Sequence, residues 1–409
     1  MTVTPSGAGT RAIRLLAVAA GPVFYQSPLY RAVAADPHVE LTVMFASDGG
    51  VRPYDASFGQ QPVVWDVDLL DGYTARFLRA AQRNEPSGGF FALRDLDVVK
   101  PILGERWDAV WVHGYSYLTL WLAMAAARLR GIPVLVREEQ TLLHERPWPK
   151  RWLRGLVLRA LLSGVHGLYI GTNNREFFAH HGVPDGRLHF VPYCVDNATL
   201  QQQAATLAGR RPELRKRFGI GPDAGPVVLF VGKLIPKKQP LLVLRAFAEV
   251  RRETPCALLV VGDGELHHAM RARVSAEAIP DVHFAGFLNR SRIAEAFAAA
   301  DLFVLPSRVH ETWGLVVNEA MNFSLPVVVS EKVGCAADLV ADGENGFVVG
   351  TDDAAQLAAA IRKLVEDADL RRAMGGRSRE RIDRWHYGIA VEGVVGACQA
   401  ALGARRRRA

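Results

Sequence analysis

Cysteine is scarce in this chain of 409 residues, and the four present, Cys194, Cys256, Cys335 and Cys398, lie far apart with no close pair. That spacing suggests neither a disulfide framework nor a zinc knuckle, which suits a reducing cytoplasm. Long apolar runs are missing too. The run at 13–20 is too short to span a bilayer, follows a polar opening and lacks a signal-type cleavage site, so no transmembrane or targeting segment is expected. Nor does one sign of charge dominate: 49 basic against 42 acidic residues leave a formal charge of +7, part of it in the tail 405–408 and in Lys150, Arg151, Arg154 and Arg159. That balance suits anionic partners, but no nucleic-acid-binding motif accompanies it, and a solvated surface with a basic tail explains it equally. No nucleic-acid partner is expected. With 49% hydrophobic and 22% charged residues, little room is left for a long disordered segment.

What is present is enough chain for about two domains of roughly 200 residues each. Short β-branched runs alternate with amphipathic stretches of helix length, the βαβα pattern of a parallel sheet covered on both faces, and the series occurs twice. In the first half strands are expected at 13–19, 40–45, 108–113, 133–137, 167–171 and 188–192, with helices at 118–129 and 151–162. Residues 49–104, rich in Gly, Pro, Asp and aromatics and poor in periodicity, are expected to be irregular decoration of the kind that faces substrates. A Gln- and Ala-rich stretch, a charged helix at 212–218 and a Gly- and Pro-rich loop at 219–226 mark the change of domain, which gives 1–205 and 206–388. In the second half strands are expected at 227–231, 257–261, 282–287, 302–306, 326–330 and 346–349. The closing helix, about 389–402, has no strand after it and is free to return to the first domain.

Two motifs carry chemistry. The strand ending at Val231 runs into Gly232, Lys233 and, after a short loop, Lys237 and Lys238. Ligands bind at strand carboxyl ends in open α/β sheets, glycine lets a ligand approach the backbone, and cations at both ends of a loop can grip a diphosphate. Taken alone, such lysines are as readily plain solvated charge. The second motif is more specific: after 302–306 come Ser307, His310, Glu311 and Gly314, then a helix opening with Leu315 and Val316 and containing Glu319. The free amides of that helix start favour an anion, while Glu311 and Glu319 bracket it. Either carboxylate singly could be a solvated group near a helix dipole; together with the lysine loop they describe a site.

These segments, with Val261-Gly262-Asp263-Gly264-Glu265, Ala285-Gly286-Phe287 and Pro326-Val327-Val328, resemble the retaining family 4 glycosyltransferases with the GT-B fold over essentially the whole second half. The resemblance implies two doubly wound Rossmann-like domains facing a central cleft. It implies that Lys233 and Lys238 hold the diphosphate of a nucleotide-sugar donor, UDP- or GDP-linked, with Gly232, Gly314 and Leu315 beside it. Glu319 would hold the ribose, Glu311 the hydroxyls of the sugar, and Phe287 would lie by the base. No metal or other cofactor is implied. Departures are Lys233 where arginine is commoner, Gln239 and Ser324 where glycine is usual, and Cys335 for a second glycine after Gly334. Lysine keeps the charge but loses the bidentate fork.

The first half is similar to acceptor domains of the same family through Gly21 and Trp111-Val112-His113-Gly114, and the run Gln26-Ser27-Pro28-Leu29-Tyr30 resembles a bacterial subset acting on glycans or small glycosylated products. His113 can face the donor sugar from a strand end, or be a hydrogen-bonded core histidine. Arg137, Glu138 and Glu139 close the next strand; a carboxylate there can orient an acceptor hydroxyl, or the three can form a local ion-pair network. Gln26, Arg137 and Glu139 are the acceptor candidates, and Glu311, Lys238 and His113 the catalytic ones. Front-face attack, in which the departing phosphate takes the acceptor proton, needs no strong protein base.

Three other readings compete. Asp66-Val67-Asp68 and Asp95-Leu96-Asp97 offer Asp-x-Asp to a metal, but both lie in the half without the nucleotide pattern. Gly262-Asp263-Gly264 suggests a dinucleotide fingerprint, yet His267 stands at its third glycine. A non-catalytic nucleotide-sugar-binding protein would keep the same residues. Separately, the basic residues near 148–162 interleave with Leu153, Leu156, Val157, Leu161 and Leu162, so that helix either lies on anionic lipid at the inner face of the membrane or packs on the first sheet.

Overall fold

The computed structural model describes residues 11–52, 66–84, 88–143 and 148–407, without the side chains of 148–151 and 406. The expectations on the polar opening, on part of 49–104, on the side chains of Lys150 and Arg151 and on the end of the basic tail lie outside the described residues.

Thirteen strands among the described residues form two parallel sheets. The first contains β1 (Ile13–Ala19), β2 (Val39–Phe45), β3 (Thr74–Phe77), β4 (Ala109–His113), β5 (Val134–Arg137), β6 (His166–Tyr169) and β7 (Leu188–Phe190), in the order β3-β2-β1-β4-β5-β6-β7. The second contains β8 (Val227–Val231), β9 (Ala257–Val261), β10 (Val282–Gly286), β11 (Leu302–Leu305), β12 (Val327–Ser330) and β13 (Gly346–Val349), in the order β10-β9-β8-β11-β12-β13. Both are doubly wound, with the strand order reversing beside the first strand, where ligands bind in such sheets. The central strands are buried on both faces, as Leu15, Leu16, Ala17 and Val18 in β1 and all of β8 show, which is why they read as continuous apolar runs rather than alternating ones.

The segment expected to be irregular contains a strand. β3 pairs in parallel with β2, Thr42 opposite Thr74, and is mostly exposed. A four-residue edge strand with one neighbour needs little apolar surface, so it leaves no periodic signal.

The closing helix, Tyr387–Arg406, packs against the first sheet. Ala390, Val394, Ala397, Cys398 and Ala401 join a core with Leu15, Phe45, Trp111 and Leu135. Its approach to β7 is so close that a Cβ on Gly393 would stand 2.0 Å from the Phe190 carbonyl oxygen. The helical stretch Ala368–Arg405, which includes most of it, is long and apolar enough to cross a membrane by length and composition, but the small residues of the closing helix serve this packing.

After Val195 the chain passes to the other domain. The helix Asn197–Leu207 is held to the second half by Asn197 Nδ2, which donates to the carbonyls of Ile382 and Trp385, and by Gln201 Nε2, which donates to Asn322 and Asp383. Side chains also bridge the facing carboxyl ends of the sheets. Thr172 donates from its backbone amide (3.0 Å) and hydroxyl (2.7 Å) to Asp338, Asn173 Nδ2 donates to the Gly334 carbonyl, and Asn318 Nδ2 donates to the Tyr193 carbonyl. These contacts close the back of a cleft between the two domains.

Candidate active site

The lysine loop folds back over the end of β8. Gly232 donates its amide to the Val261 carbonyl, Pro236–Lys238 form a single 3-10 turn, and Arg308 donates its amide to the Lys237 carbonyl at 2.8 Å, tying the loop to the end of β11. Gly262 and Gly264, the pair resembling a dinucleotide fingerprint, serve this packing: at φ of +131° and +153° respectively, their missing Cβ atoms would meet the Gly232 carbonyl oxygen at 2.0 Å and the Leu234 backbone at 2.7 Å. Gln239 and Ser324, where the family usually has glycine, adopt φ of 53° and 54°. The left-handed backbone is thus kept without glycine, at a cost of roughly 1 kcal/mol each.

Lys238 is brought onto Glu311. Its ammonium donates to Glu311 Oε2, which also accepts from Ser307 Oγ at 3.0 Å. Burial pushes the Glu311 carboxyl up, but the Lys238 and Lys237 ammoniums and the bonds from Lys238 and Ser307 outweigh it and hold the group below the usual carboxylate range. Burial in turn pulls the Lys237 ammonium down, opposed by Glu311. The result is an ionised carboxylate in a dry wall, with two lysines beside it.

The segment between Glu311 and the helix Leu315–Asn322 is tightly determined. Gly314 caps the helix at φ 94°, and Trp313 Nε1 donates to Asn318 Oδ1 within the helix. Gly334 donates its amide to the Glu311 carbonyl, Cys335 to the Trp313 carbonyl, and a Cβ on Gly334 would stand 1.9 Å from the Thr312 carbonyl oxygen. The helix-opening amides therefore sit next to the Lys238–Glu311 pair. Five residues into the helix, buried Glu319 receives Arg290 on Oε1.

On the first-domain side, His113 ends β4 and is buried against Trp111 and Tyr30, with ring centroids 4.5 and 5.2 Å away. Burial, helped by Arg137, pulls its imidazole well below the ordinary value, so it is neutral, and Nε2 is a buried nitrogen without a hydrogen-bond partner. Glu139 accepts from the Tyr193 hydroxyl and is hydrogen-bonded to Gln26 and to Thr312 of the other domain; burial still holds its carboxyl above the usual range. Arg137 is placed otherwise than expected. Its guanidinium is buried, donates to the Val191 carbonyl at 2.8 Å and lies over the Tyr193 ring, so it braces the segment after β7 instead of opening to an acceptor. Glu138, named in the same trio but not chosen as an acceptor candidate, is buried and accepts from the amides of Glu139 and Gln140. Its Oε2 is a buried atom without a partner, lying beside Gly114, and burial with Glu139 pushes the carboxyl up to about 7.

Of the predicted residues, Gly232, Lys238, Glu311, Gly314 and Leu315 lie around one loop-and-helix corner, Glu319 lies deeper along the same helix, and Phe287 follows β10 and is exposed. Lys233 belongs to the same loop. Ser307 and Arg290 were not among the predicted site residues; the first sits in the motif already quoted, whereas the second becomes visible only through its tertiary neighbours. The Asp-x-Asp carboxylates accept backbone amides: Asp66 that of Ser291 in the other domain, Asp68 those of Leu70 and Asp71, and Asp95 that of Asp97.

Two families match the chain, the glycosyl transferase 4-like domain over residues 20–194 and the glycosyl transferases group 1 over residues 211–381. The chain is 32% identical over 194 residues to the alpha-D-kanosaminyltransferase of Streptomyces kanamyceticus, spanning 47% of this chain and about half, 48%, of that enzyme. It is 32% identical to the D-inositol 3-phosphate glycosyltransferase of Kineococcus radiotolerans over 72% of this chain and 67% of that one. With the GDP-mannose-dependent alpha-(1-6)-phosphatidylinositol monomannoside mannosyltransferase of Mycolicibacterium smegmatis the identity is 29%, covering 83% and 92%. Among solved structures, an Anabaena protein, HepE, in complex with UDP and glucose superposes with a TM-score of 0.69 over 95% of this chain and 100% of that one, at 17% identity, a likeness of fold.

Proposed function

The chain belongs to the family 4 glycosyltransferases with the GT-B fold, and from that premise we propose that it moves a sugar from a UDP- or GDP-linked donor to a hydroxyl acceptor with retention of configuration and without a metal. The observation that carries this reading is the Lys238–Glu311–Ser307 cluster beside the free amides of Gly314 and Leu315. Lys233, Lys238 and those amides stabilise charge developing on the leaving diphosphate. Glu311 takes sugar hydroxyls and Glu319 the ribose. The acceptor oxygen attacks the anomeric carbon from the face the diphosphate leaves, and its proton passes to the departing phosphate oxygen. His113, being neutral, offers an imidazole nitrogen to a sugar hydroxyl. Both donor nucleotides have support among the relatives, through a name that specifies GDP-mannose and a structural neighbour that holds UDP. The test is nucleotide release from UDP-, GDP- and dTDP-sugars, with and without excess EDTA. Release from one class, undiminished by EDTA, is expected; binding without release or transfer for every donor would leave only a binding protein.

On the acceptor side Glu139 and Gln26 line the cleft wall, and Glu138, whose buried Oε2 has no protein partner, accepts the attacking hydroxyl's hydrogen bond. A group titrating near 7 makes this pH-dependent: the carboxylate form, which binds the hydroxyl, grows as pH rises through about 7. The acceptor KM should fall between pH 6 and 8 in the native enzyme and stay flat in Glu138→Gln. An unchanged profile in that variant removes Glu138 from the site.

The helix Trp148–Leu161 supports peripheral contact with an anionic bilayer. Leu158 and Leu161 pack into the first domain, whereas Trp152, Leu153, Leu156 and Val157 form an exposed apolar stripe on the same helix as Arg154 and Arg159. Apolar area flanked by cations suits anionic headgroups. Flotation with phosphatidylglycerol vesicles should carry the protein upward, and Trp152→Ala with Leu153→Ala should release it; protein left in the soluble fraction dismisses the contact.

A further inference from the structure

Arg290 opens the helix Arg290–Ala299 behind β10, capped by the Asn289 side chain. A cation at a helix amino end opposes the helix dipole, so helix stability does not explain it. Its surroundings do. Nη1 donates to Glu319 Oε1 in a largely buried pair. The same guanidinium lies 5.2 Å from the centroid of Phe24, which follows β1 in the first domain, and the next residue, Ser291, donates its amide to Asp66 of the first domain at 2.9 Å. One side chain thus touches both the carboxylate read as the ribose ligand and the wall of the opposing domain.

We propose that Arg290 is a positioning residue that couples donor-nucleotide binding to closure of the cleft. By holding Oε1 it aims the remaining oxygen of Glu319 at the ribose hydroxyls, since the terminal torsion of a glutamate is otherwise broad. By resting on Phe24 it makes that aim depend on the first domain being in place. A group with different contacts in the open and closed arrangements is what thermodynamic coupling requires. Lysine in its place keeps the charge but not the planar fork or the stacking surface. The inference rests on the reading of Glu319 as ribose ligand.

The test uses the full chain, with UDP and GDP as calorimetric probes and steady-state transfer alongside. For the nucleotide the native enzyme prefers, Arg290→Ala should weaken binding about 10- to 30-fold, the worth of a charge-assisted hydrogen bond. Arg290→Lys should recover only part of that and carries the test if the alanine variant does not fold. In a Glu319→Gln background the alanine change should add less than about twofold, because the interaction is already gone. Phe24→Leu, which keeps apolar volume, should weaken nucleotide binding about 2- to 5-fold and raise the donor KM more than it lowers kcat. Native-like binding by Arg290→Ala while Glu319→Gln binds weakly overturns the inference and leaves the ribose reading standing. Native-like binding by Glu319→Gln overturns both.

Discussion

Glu311→Gln is expected to lower kcat by about 10²- to 10³-fold with the fold intact, the loss typical of removing one preorganised electrostatic partner of a transition state. The amide keeps the shape and the Ser307 contact but not the charge that holds Lys238 in place. Alanine is the poorer choice: like glutamine it leaves the Lys238 ammonium without its counter-charge, and it also removes the oxygen that accepts from Ser307. Lys238→Ala should lose activity on the same scale through the opposite partner, and the double variant should be little worse than either single one. The pH dependence follows from the direction of the Glu311 shift. Its folded value lies below the ordinary one, so its contribution to stability is present above the unfolded value and is lost as pH falls through the folded value. The native enzyme should therefore show an acid limb in thermal melts below the usual glutamate range that Glu311→Gln lacks. Near-native kcat in either single variant would remove the pair from the mechanism.

Gly334→Ala should be nearly as damaging without touching a charged group. The new methyl would stand 1.9 Å from the Thr312 carbonyl oxygen and 3.0 Å from the Trp313 amide nitrogen, both backbone atoms, so the segment itself must move. That segment carries Glu311 at one end and the helix-opening amides at the other. A displacement of about 1 Å in a positioned site costs on the order of 10²-fold in kcat/KM. Thr312 also hydrogen-bonds Glu139 of the first domain, so the shift disturbs that carboxylate as well. Steady-state kinetics beside a melting curve check it: kcat/KM within threefold of native and an unchanged Tm would show that the segment tolerates the methyl.

Cys335, the neighbour that departs from the family's glycine, needs no such freedom. It is buried, its amide bonds to the Trp313 carbonyl, and its φ is not in the left-handed region. Gln239 and Ser324 are the opposite case, where the backbone keeps the left-handed turn that glycine would supply and the side chain tolerates it. An unusual residue in a familiar motif therefore says little until its backbone conformation is known.

Much was legible in the chain's own pattern: apolar runs flanked by Gly and Pro located twelve of the strands, and charged residues at the ends of β8 and β11 marked the corner where Lys238 and Glu311 lie, because strand ends and helix starts are local features with local signatures. The edge strand β3 escaped for want of an apolar face. The tertiary structure decided which cations meet which carboxylates. It set Lys238 on Glu311 across 73 residues and Arg290 on Glu319 across 29, spent Arg137 on the Val191 carbonyl, and left Glu138 with a buried, unpartnered oxygen. Pairing and desolvation depend on what folds over a residue from elsewhere in the chain, and no local pattern carries that information.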